Sequence, residues 1–133
     1  MRLPLDGNPK INSPFAPRGS EIHSGVDYEA DKGTPVKAIT SGTVVRASEH
    51  PDYGNVIVID HGPIGPNGER TYSLYAHLED NSMIVKPGDT VNEGDVIGES
   101  GNSGRSRGKT GDHLHFEVIK SITPLPWRET GPM

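Results

Sequence analysis

The 133-residue sequence contains no cysteine, no long apolar run and no run of basic residues. Without cysteine there is neither a disulfide framework nor a thiolate metal site, and cysteine usage does not indicate whether the protein works in an oxidising or a reducing compartment. No stretch approaches the roughly 18 apolar residues of a membrane-spanning helix, so we expect no membrane insertion. Lys and Arg number 13 against 18 Asp and Glu, giving a formal net charge of −5. Because nucleic-acid binding usually needs a basic patch, we expect no nucleic-acid partner.

Helix signals are also scarce, whereas turn signals are dense. The chain has 17 Gly and 12 Pro, which separate short β-branched runs. This pattern predicts an all-β fold, an antiparallel sheet or open barrel-like sandwich with long loops and little or no helix. Six strands are predicted, with short pieces near Ile84 and Val91: 34–39, 42–48, 55–60, 71–78, 96–99 and 113–119. Residues 62–70, which carry Gly-Pro twice and Asn-Gly once, are predicted to form a long hairpin tip.

The length fits one domain, since domains commonly span about 100–200 residues. We predict a single domain over residues 1–133, with Pro-rich, irregular tails at about 1–12 and 123–133. An apolar content of 31% supports only a modest core.

Four of the six histidines fall in three short segments. These are His-Ser-Gly-Val-Asp at 23–27, Tyr-Ala-His-Leu at 75–78 and His-Leu-His at 113–115. Catalytic zinc typically takes three protein ligands from His and carboxylate side chains and keeps a fourth position for water. The segments therefore indicate a mononuclear zinc hydrolase, with two histidines left for proton transfer.

Spacing in the third segment predicts a shared face, because strand residues two apart project from the same side of a sheet. His113, His115 and Glu117 then share one face, so one histidine can bind metal while its neighbour faces substrate. Glu117 is a candidate acceptor for a ligand's second nitrogen, with a surface strand position as the alternative.

The same alternation, applied to 71–78, places His77 on one face with Ser73 and Tyr75. Between residues 23 and 27, the flexible Gly25 and the β-branched Val26 favour a loop that runs into a strand.

Together, the three segments resemble the lysostaphin-like zinc metalloendopeptidases, which cut peptide bonds in bacterial peptidoglycan. That family has a His-x-x-x-Asp box, a later Tyr-x-His-Leu-like box and a terminal His-x-His, in this order. Ser-Pro-Phe-Ala-Pro-Arg at 13–18, Gly-Thr-Pro-Val at 33–36 and His-Leu-His-Phe-Glu at 113–117 are also similar. The resemblance implies one Zn²⁺ per chain in a groove walled by loops. Its implied ligands are His23, Asp27 and His115, and the implied catalytic pair is His77 and His113.

The resemblance implies an endopeptidase that hydrolyses stem peptides or cross-bridges at the bacterial cell wall, with peptidoglycan peptides as the partner. Members cut either glycine-rich cross-bridges or bonds of the D-alanine and diaminopimelate stem, and the sequence leaves both open. Since the first residues lack a secretory signal pattern, we expect a mature fragment, an engineered domain or a phage protein such as an endolysin. The protein is then secreted, periplasmic or phage-delivered.

Two other functions remain open at this stage. One is a catalytically silent domain of the same fold that binds peptidoglycan or activates another hydrolase. The other is a biotinyl or lipoyl carrier, because residues 85–98 resemble the turn-rich hairpins of those modules. A carrier needs a modifiable lysine at a tight hairpin tip, and Lys86 beside Pro87 is a poor candidate.

The remaining candidate residues have weaker signals. Arg18 and Asn55 are candidate substrate contacts, and His50 and His61, each next to a turn residue, are interpreted as structural or exposed. The loop 100–111 is longer than in typical members, through residues 105–109, and Asp112 stands where relatives commonly have proline. An aspartate there is hypothesised to stabilise the neighbouring imidazolium, with a solvated loop residue as the alternative.

Overall fold

The computed structural model describes residues 1–13, 23–103 and 112–121, without the side chains of residues 12, 13, 23 and 24. These described residues form nine β-strands and no helix. None of them therefore belongs to a helix that could cross a membrane. The strands are β1 (Ile11–Ser13), β2 (His23–Glu29), β3 (Pro35–Lys37), β4 (Gly42–His50), β5 (Gly54–Asp60), β6 (Arg70–Leu78), β7 (Thr90–Val91), β8 (Val96–Glu99) and β9 (His113–Ser121).

Seven strands form one antiparallel sheet in the order β1-β2-β9-β6-β5-β4-β7, and β3 pairs with β8 in a second, two-stranded sheet. The large sheet is open, because β1 and β7 are its two edges. The predicted all-β, antiparallel and open architecture is confirmed. Residues 62–70 connect β5 to β6, as the turn residues predicted, and Gly65 N–H donates to the Glu69 carbonyl within this tip.

Sequence patterning locates the long strands well but misses the N-terminal ones. Residues 11–13, assigned to an irregular tail, form β1 against β2, and Ile84 lies outside any strand. Residues 1–10 are irregular and run along β3, where Lys37 N–H donates to the Pro4 carbonyl. The predicted tail at 123–133 lies outside the described residues, and the single domain over 1–133 stays a prediction.

Two apolar clusters lie on opposite faces of the large sheet. The larger one is covered by the small sheet and the N-terminal segment, and it includes Leu5, Val36, Ile57, Tyr75, Leu78, Ile97, Leu114 and Phe116. The smaller one comprises Val56, Val58, Tyr72, Leu74, Ala76 and Ile119. Fully burying one such aliphatic or aromatic side chain contributes about 1.5–3 kcal/mol. Burial on both faces therefore stabilises the central strands β5, β6 and β9.

A β-bulge interrupts β6 next to the candidate site. Ile57 pairs with Tyr75 and Asn55 pairs with Leu78, so Ala76 and His77 together oppose one residue of β5. His77 has a φ of 59°, in the left-handed region. Tyr75 and Leu78, three residues apart, consequently enter the same apolar cluster. The predicted grouping of His77 with Tyr75 is therefore wrong, since an extra residue reverses the alternation at this point.

Candidate active site

The candidate site is built on the middle of β9, between β2 and β6. In the pairing of these strands, His115 stands opposite Asp27 of β2 on one side and opposite Ala76 of β6 on the other. Directly opposed residues project from the same face of a sheet. Leu114 and Phe116 pack in the larger apolar cluster, which leaves His113, His115 and Glu117 to the opposite face. The predicted shared face of these three residues is confirmed.

His115 lies between two carboxylates. Its Nδ1 is 2.7 Å from Asp27 Oδ1, and its Nε2 donates to Glu117 Oε2 at 2.7 Å. Burial alone would lower the pKa of His115, but the hydrogen bonds and charges of Asp27 and Glu117 raise it to about 9. Burial likewise would raise the pKa of Asp27, yet the hydrogen bond to His115 holds it below its ordinary value. The His115 ring therefore lies between two carboxylates, of which Glu117 is buried and Asp27 is partly exposed.

Glu117 is only 1% exposed, so the surface alternative for this residue is wrong. A second donor reaches the same carboxylate, because Tyr53 Oη donates to Glu117 Oε2 at 3.0 Å. The Tyr53 ring also stacks on His115, with centroids 5.8 Å apart. Sequence reasoning missed Tyr53, since a residue in the β4–β5 turn follows no strand alternation.

The donor set fits a divalent cation such as zinc. A carboxylate oxygen and an imidazole nitrogen face each other across Asp27 and His115, and Glu117 accepts a hydrogen from the other imidazole nitrogen. This carboxylate–histidine arrangement is the one that orients metal-ligating histidines in proteins. Among the described residues, no three His, Asp or Glu side chains converge on one point. The side chain of His23, the third expected ligand, lies outside the described part of the structure.

The backbone around His23 differs from the sequence expectation. Residue 23 is already the first residue of β2, and β2 pairs with β9 from His23 to Glu29 without a break in register. The expected loop is replaced by extended chain because every residue finds a partner in β9. Four residues of strand span about 13 Å. A common ion would therefore need the side chains of residues 23 and 27 to lean toward each other along the strand.

His77 and His113 lie side by side, next to His115. Their ring centroids are 5.1 Å apart, and the His77 centroid is 6.1 Å from that of His115. Both are largely buried. Burial lowers the pKa of His77 below its ordinary value, with the Ser103 carbonyl opposing and the two neighbouring histidines adding to the effect. His77 therefore holds a proton less readily than an ordinary histidine, which favours the neutral ring near pH 7.

The other sequence candidates have structural or untested positions. His61 is buried, with Nδ1 donating to the Ser41 carbonyl at 2.8 Å and Nε2 2.7 Å from Ser73 Oγ, which confirms a structural position. His50 Nδ1 accepts the backbone N–H groups of residues 52 and 53. Arg18 and residues 104–111 lie outside the described residues. The hypothesis that Asp112 stabilises the His113 imidazolium stays a prediction.

A polar cavity of about 560 Å³ lies next to Ser103, which lines it and is a neighbour of His77. It is bordered by Ser103, whose carbonyl contacts the His77 ring, and by Asn55, Glu49 and Asp80. Asn55 Nδ2 is already bonded to the Leu78 carbonyl and to Asp80 Oδ1. The structure thus brings together the Asp27–His115 contact and the ring pair of His77 and His113, and Ser103 links His77 to a polar cavity.

A protein-family model described as Peptidase family M23 matches residues 21–126. The chain belongs to peptidase family M23. Its curated relatives include the peptidoglycan DD-endopeptidase ShyA of Vibrio cholerae, 40% identical over 133 residues that cover 94% of this chain and 28% of ShyA. The DD-carboxypeptidase/endopeptidase Mpg of Neisseria meningitidis is 40% identical over 122 residues, 87% of this chain and 26% of Mpg. The chain therefore spans little more than a quarter of the length of these M23 relatives.

Solved structures support the same M23 assignment. A zinc-containing peptidase from Vibrio cholerae superposes with a TM-score of 0.74 and 32% identity, covering 90% of this chain and 36% of that one. The catalytic domain of the antimicrobial peptidase lysostaphin from Staphylococcus simulans gives a TM-score of 0.61 and 37% identity, covering 86% and 78%. The matched region of the M23 model includes all five residues that the sequence motifs single out.

Proposed function

We propose that this M23 domain is a zinc-dependent endopeptidase that hydrolyses peptide bonds of bacterial peptidoglycan at the cell wall. The observation that carries the proposal is the contact of Asp27 with His115 beside the imidazole pair of His77 and His113. The relatives ShyA, a peptidoglycan DD-endopeptidase, and Mpg, a DD-carboxypeptidase/endopeptidase, support peptidoglycan peptides as the substrate class. Both relatives are endopeptidases with a DD designation. Stem peptides with D-configured residues are therefore the first substrate to test, ahead of glycine bridges.

One Zn²⁺ per chain would be held by Asp27 and His115, with His23 as the third ligand on the resemblance of the first motif. When bound, zinc acts as a Lewis acid and lowers the pKa of a coordinated water from about 16 to about 7. Glu117 would orient His115 for this task through the Nε2 hydrogen bond. Asp27 and Glu117 also favour a bound cation, because they place negative charge on both sides of the His115 ring.

The proton work would fall to His77 and His113. A carbonyl oxygen can only accept a hydrogen bond, so the 2.7 Å contact with Ser103 O makes His77 Nδ1 the protonated nitrogen. Nε2 of His77 is then the basic nitrogen that accepts a proton from the attacking water. His113, whose ring centroid is 5.1 Å from that of His77, would stabilise the tetrahedral oxyanion and pass the proton on to the leaving amine. The sequence has no His-Glu-x-x-His motif, so imidazole takes the place of a glutamate base.

Muropeptide analysis tests this function. The zinc-loaded protein is incubated with purified peptidoglycan of the directly cross-linked and the glycine-bridged types, and the soluble fragments are identified by mass spectrometry. We expect new fragments that are absent with the His77→Ala variant, and their masses would name the bond that is cut. No new fragments from either wall, with zinc bound, would favour a binding or hydrolase-activating domain instead.

The carrier-module alternative finds no support in the hairpin that suggested it. Lys86 occupies the first position of its turn, where its carbonyl accepts from Asp89 N–H, and not the tip. Its ammonium group lies 3.7 Å from Asp89 Oδ1.

A further inference from the structure

We propose that Ser103 and Asn55 are positioning residues that hold His77 in one ring orientation and one tautomer for proton transfer. This inference rests on the proposed function, because it assumes that His77 handles the proton. It concerns two residues outside the three histidine motifs and outside the metal ligands.

The backbone at His77 needs external support. His77 is a non-glycine residue with a φ of 59°, and it is the extra residue of the β6 bulge. Left-handed backbone is unfavourable for such a residue and persists where surrounding contacts fix it. One contact comes from the main chain, since His77 N–H donates to the Tyr53 carbonyl at 2.7 Å. The others come from side chains on both sides of the bulge.

Two side chains hold the peptide unit that follows Leu78, one residue beyond His77. The Leu78 carbonyl accepts from Asn55 Nδ2 at 3.0 Å and from Ser103 Oγ at 2.6 Å. Ser103 Oγ in turn accepts the Asn55 backbone N–H at 3.0 Å. Asn55, Ser103 and the Leu78 carbonyl therefore form a closed set of three hydrogen bonds across the bulge.

Ser103 also fixes the ring itself. Its backbone carbonyl is the acceptor for His77 Nδ1 at 2.7 Å. The Ser103 hydroxyl anchors this part of the 100–111 loop to β6 and β5, so the carbonyl that holds the ring is placed by the side chain of the same residue. If the hydroxyl is lost, residue 103 loses its bond to the Leu78 carbonyl, and the His77 ring loses a fixed acceptor.

The expected consequence is a loss of turnover without a loss of substrate binding. A ring that rotates or exchanges tautomers spends less time with a basic Nε2 in place, and a displacement of about 1 Å at a reacting group can cost about 100-fold in rate. Ground-state binding does not use the His77 orientation, so KM should hardly change. A direct substrate contact by Ser103, which borders the polar cavity, would instead raise KM.

The test compares Ser103→Ala with Ser103→Thr, which keeps a hydroxyl at the same place. For the zinc-loaded proteins, kcat and KM are measured on a purified cross-linked muropeptide. The His77 tautomer is read from long-range ¹H–¹⁵N NMR spectra, assigned by comparison with His77→Ala. We expect Ser103→Ala to lower kcat by about 10- to 100-fold with KM unchanged, and to mix the two His77 tautomers. Ser103→Thr should retain kcat within about threefold and keep the Nδ1–H tautomer. Asn55→Ala should lower kcat in the same direction.

Three results would overturn the proposal: parent-like kcat in Ser103→Ala, a pure Nδ1–H tautomer in that variant despite lost turnover, or an effect confined to KM. All spectra are recorded well below each variant's melting temperature, so a loss of stability does not imitate the effect. If the parent protein cuts no muropeptide, the proposed function fails, but the tautomer comparison still decides whether Ser103 orients His77.

Discussion

Glu117 offers the sharpest test of how the β9 residues divide their work. Its carboxylate is buried and accepts a 2.7 Å hydrogen bond from His115 Nε2. A hydrogen bond that involves a charged group contributes about 1.5–3 kcal/mol. If this bond orients His115 as a metal ligand, replacing Glu117 should weaken zinc binding by a comparable free energy, which corresponds to roughly 10- to 100-fold in the dissociation constant.

The assay is competition for zinc between the protein and a chromophoric chelator at pH 7.5. We expect Glu117→Gln, which keeps a neutral acceptor, to bind zinc about tenfold more weakly, and Glu117→Ala to approach 100-fold. Tyr53→Phe is the matched control, because it removes the hydroxyl that donates the 3.0 Å bond to the same carboxylate and keeps the ring that stacks on His115. Its effect should stay below about threefold. Parent-like zinc affinity in Glu117→Ala, or an equal loss in Tyr53→Phe, would refute the reasoning.

Three further predictions concern stability. Removing zinc with a strong chelator should lower the melting temperature measured by calorimetry, since a ligand at about 100 times its dissociation constant stabilises by about 2.7 kcal/mol; equal melting temperatures would separate the metal from folding. Burial lowers the pKa of His61 below 6.5, so the unfolded chain binds more protons and stability should fall as the pH drops below 6.5. Urea titrations should show that the stability of His61→Gln depends less on acid pH than that of the parent. An unchanged pH dependence in this variant would contradict the role given to His61. At Gly101 an added Cβ would meet Glu79 Cα at 2.7 Å and Glu79 N at 2.8 Å, so Gly101→Ala should destabilise by more than about 1 kcal/mol in the same titrations, whereas Gly98→Ala, whose Cβ would meet its nearest atom at 3.5 Å, should not clash.

The His61 prediction has a structural reason beyond burial. The Ser41 carbonyl requires a hydrogen on Nδ1, so Nε2 of the neutral ring accepts from Ser73 Oγ. Ser73 Oγ then accepts from Tyr75 Oη, which itself accepts from Ile39 N–H. Protonating His61 would make Nε2 a donor, so the Ser73 hydroxyl hydrogen would lose the acceptor that the neutral ring supplies.

Sequence patterning predicted the parts of the site that depend on regular strands. β9 pairs with a neighbour on each side along its length, so the alternation of His113, His115 and Glu117 survives in the fold. The open all-β architecture followed from the density of Gly and Pro and from the β-branched runs between them.

The predictions that failed concern features that depend on contacts between residues far apart in the sequence. The bulge at His77 is fixed by Tyr53, Asn55 and Ser103, which lie 22 to 26 positions away and leave no mark on the local alternation. Tyr53 lies in a turn and bonds to Glu117, which is 64 positions away in the sequence. The strand that begins at His23 forms because β9 offers a partner, which the local preference of Gly25 does not reveal.

The zinc content of the His77→Ala protein tests the central assignment most directly. Dialysed parent, His77→Ala and Asp27→Ala proteins are analysed for zinc per chain by elemental mass spectrometry. We expect one zinc per chain in the parent and in His77→Ala, together with lost peptidoglycan cleavage in the latter, and little or no zinc in Asp27→Ala. A His77→Ala protein that loses its metal, or an Asp27→Ala protein that keeps it, would contradict the division between metal ligands and proton-transfer residues.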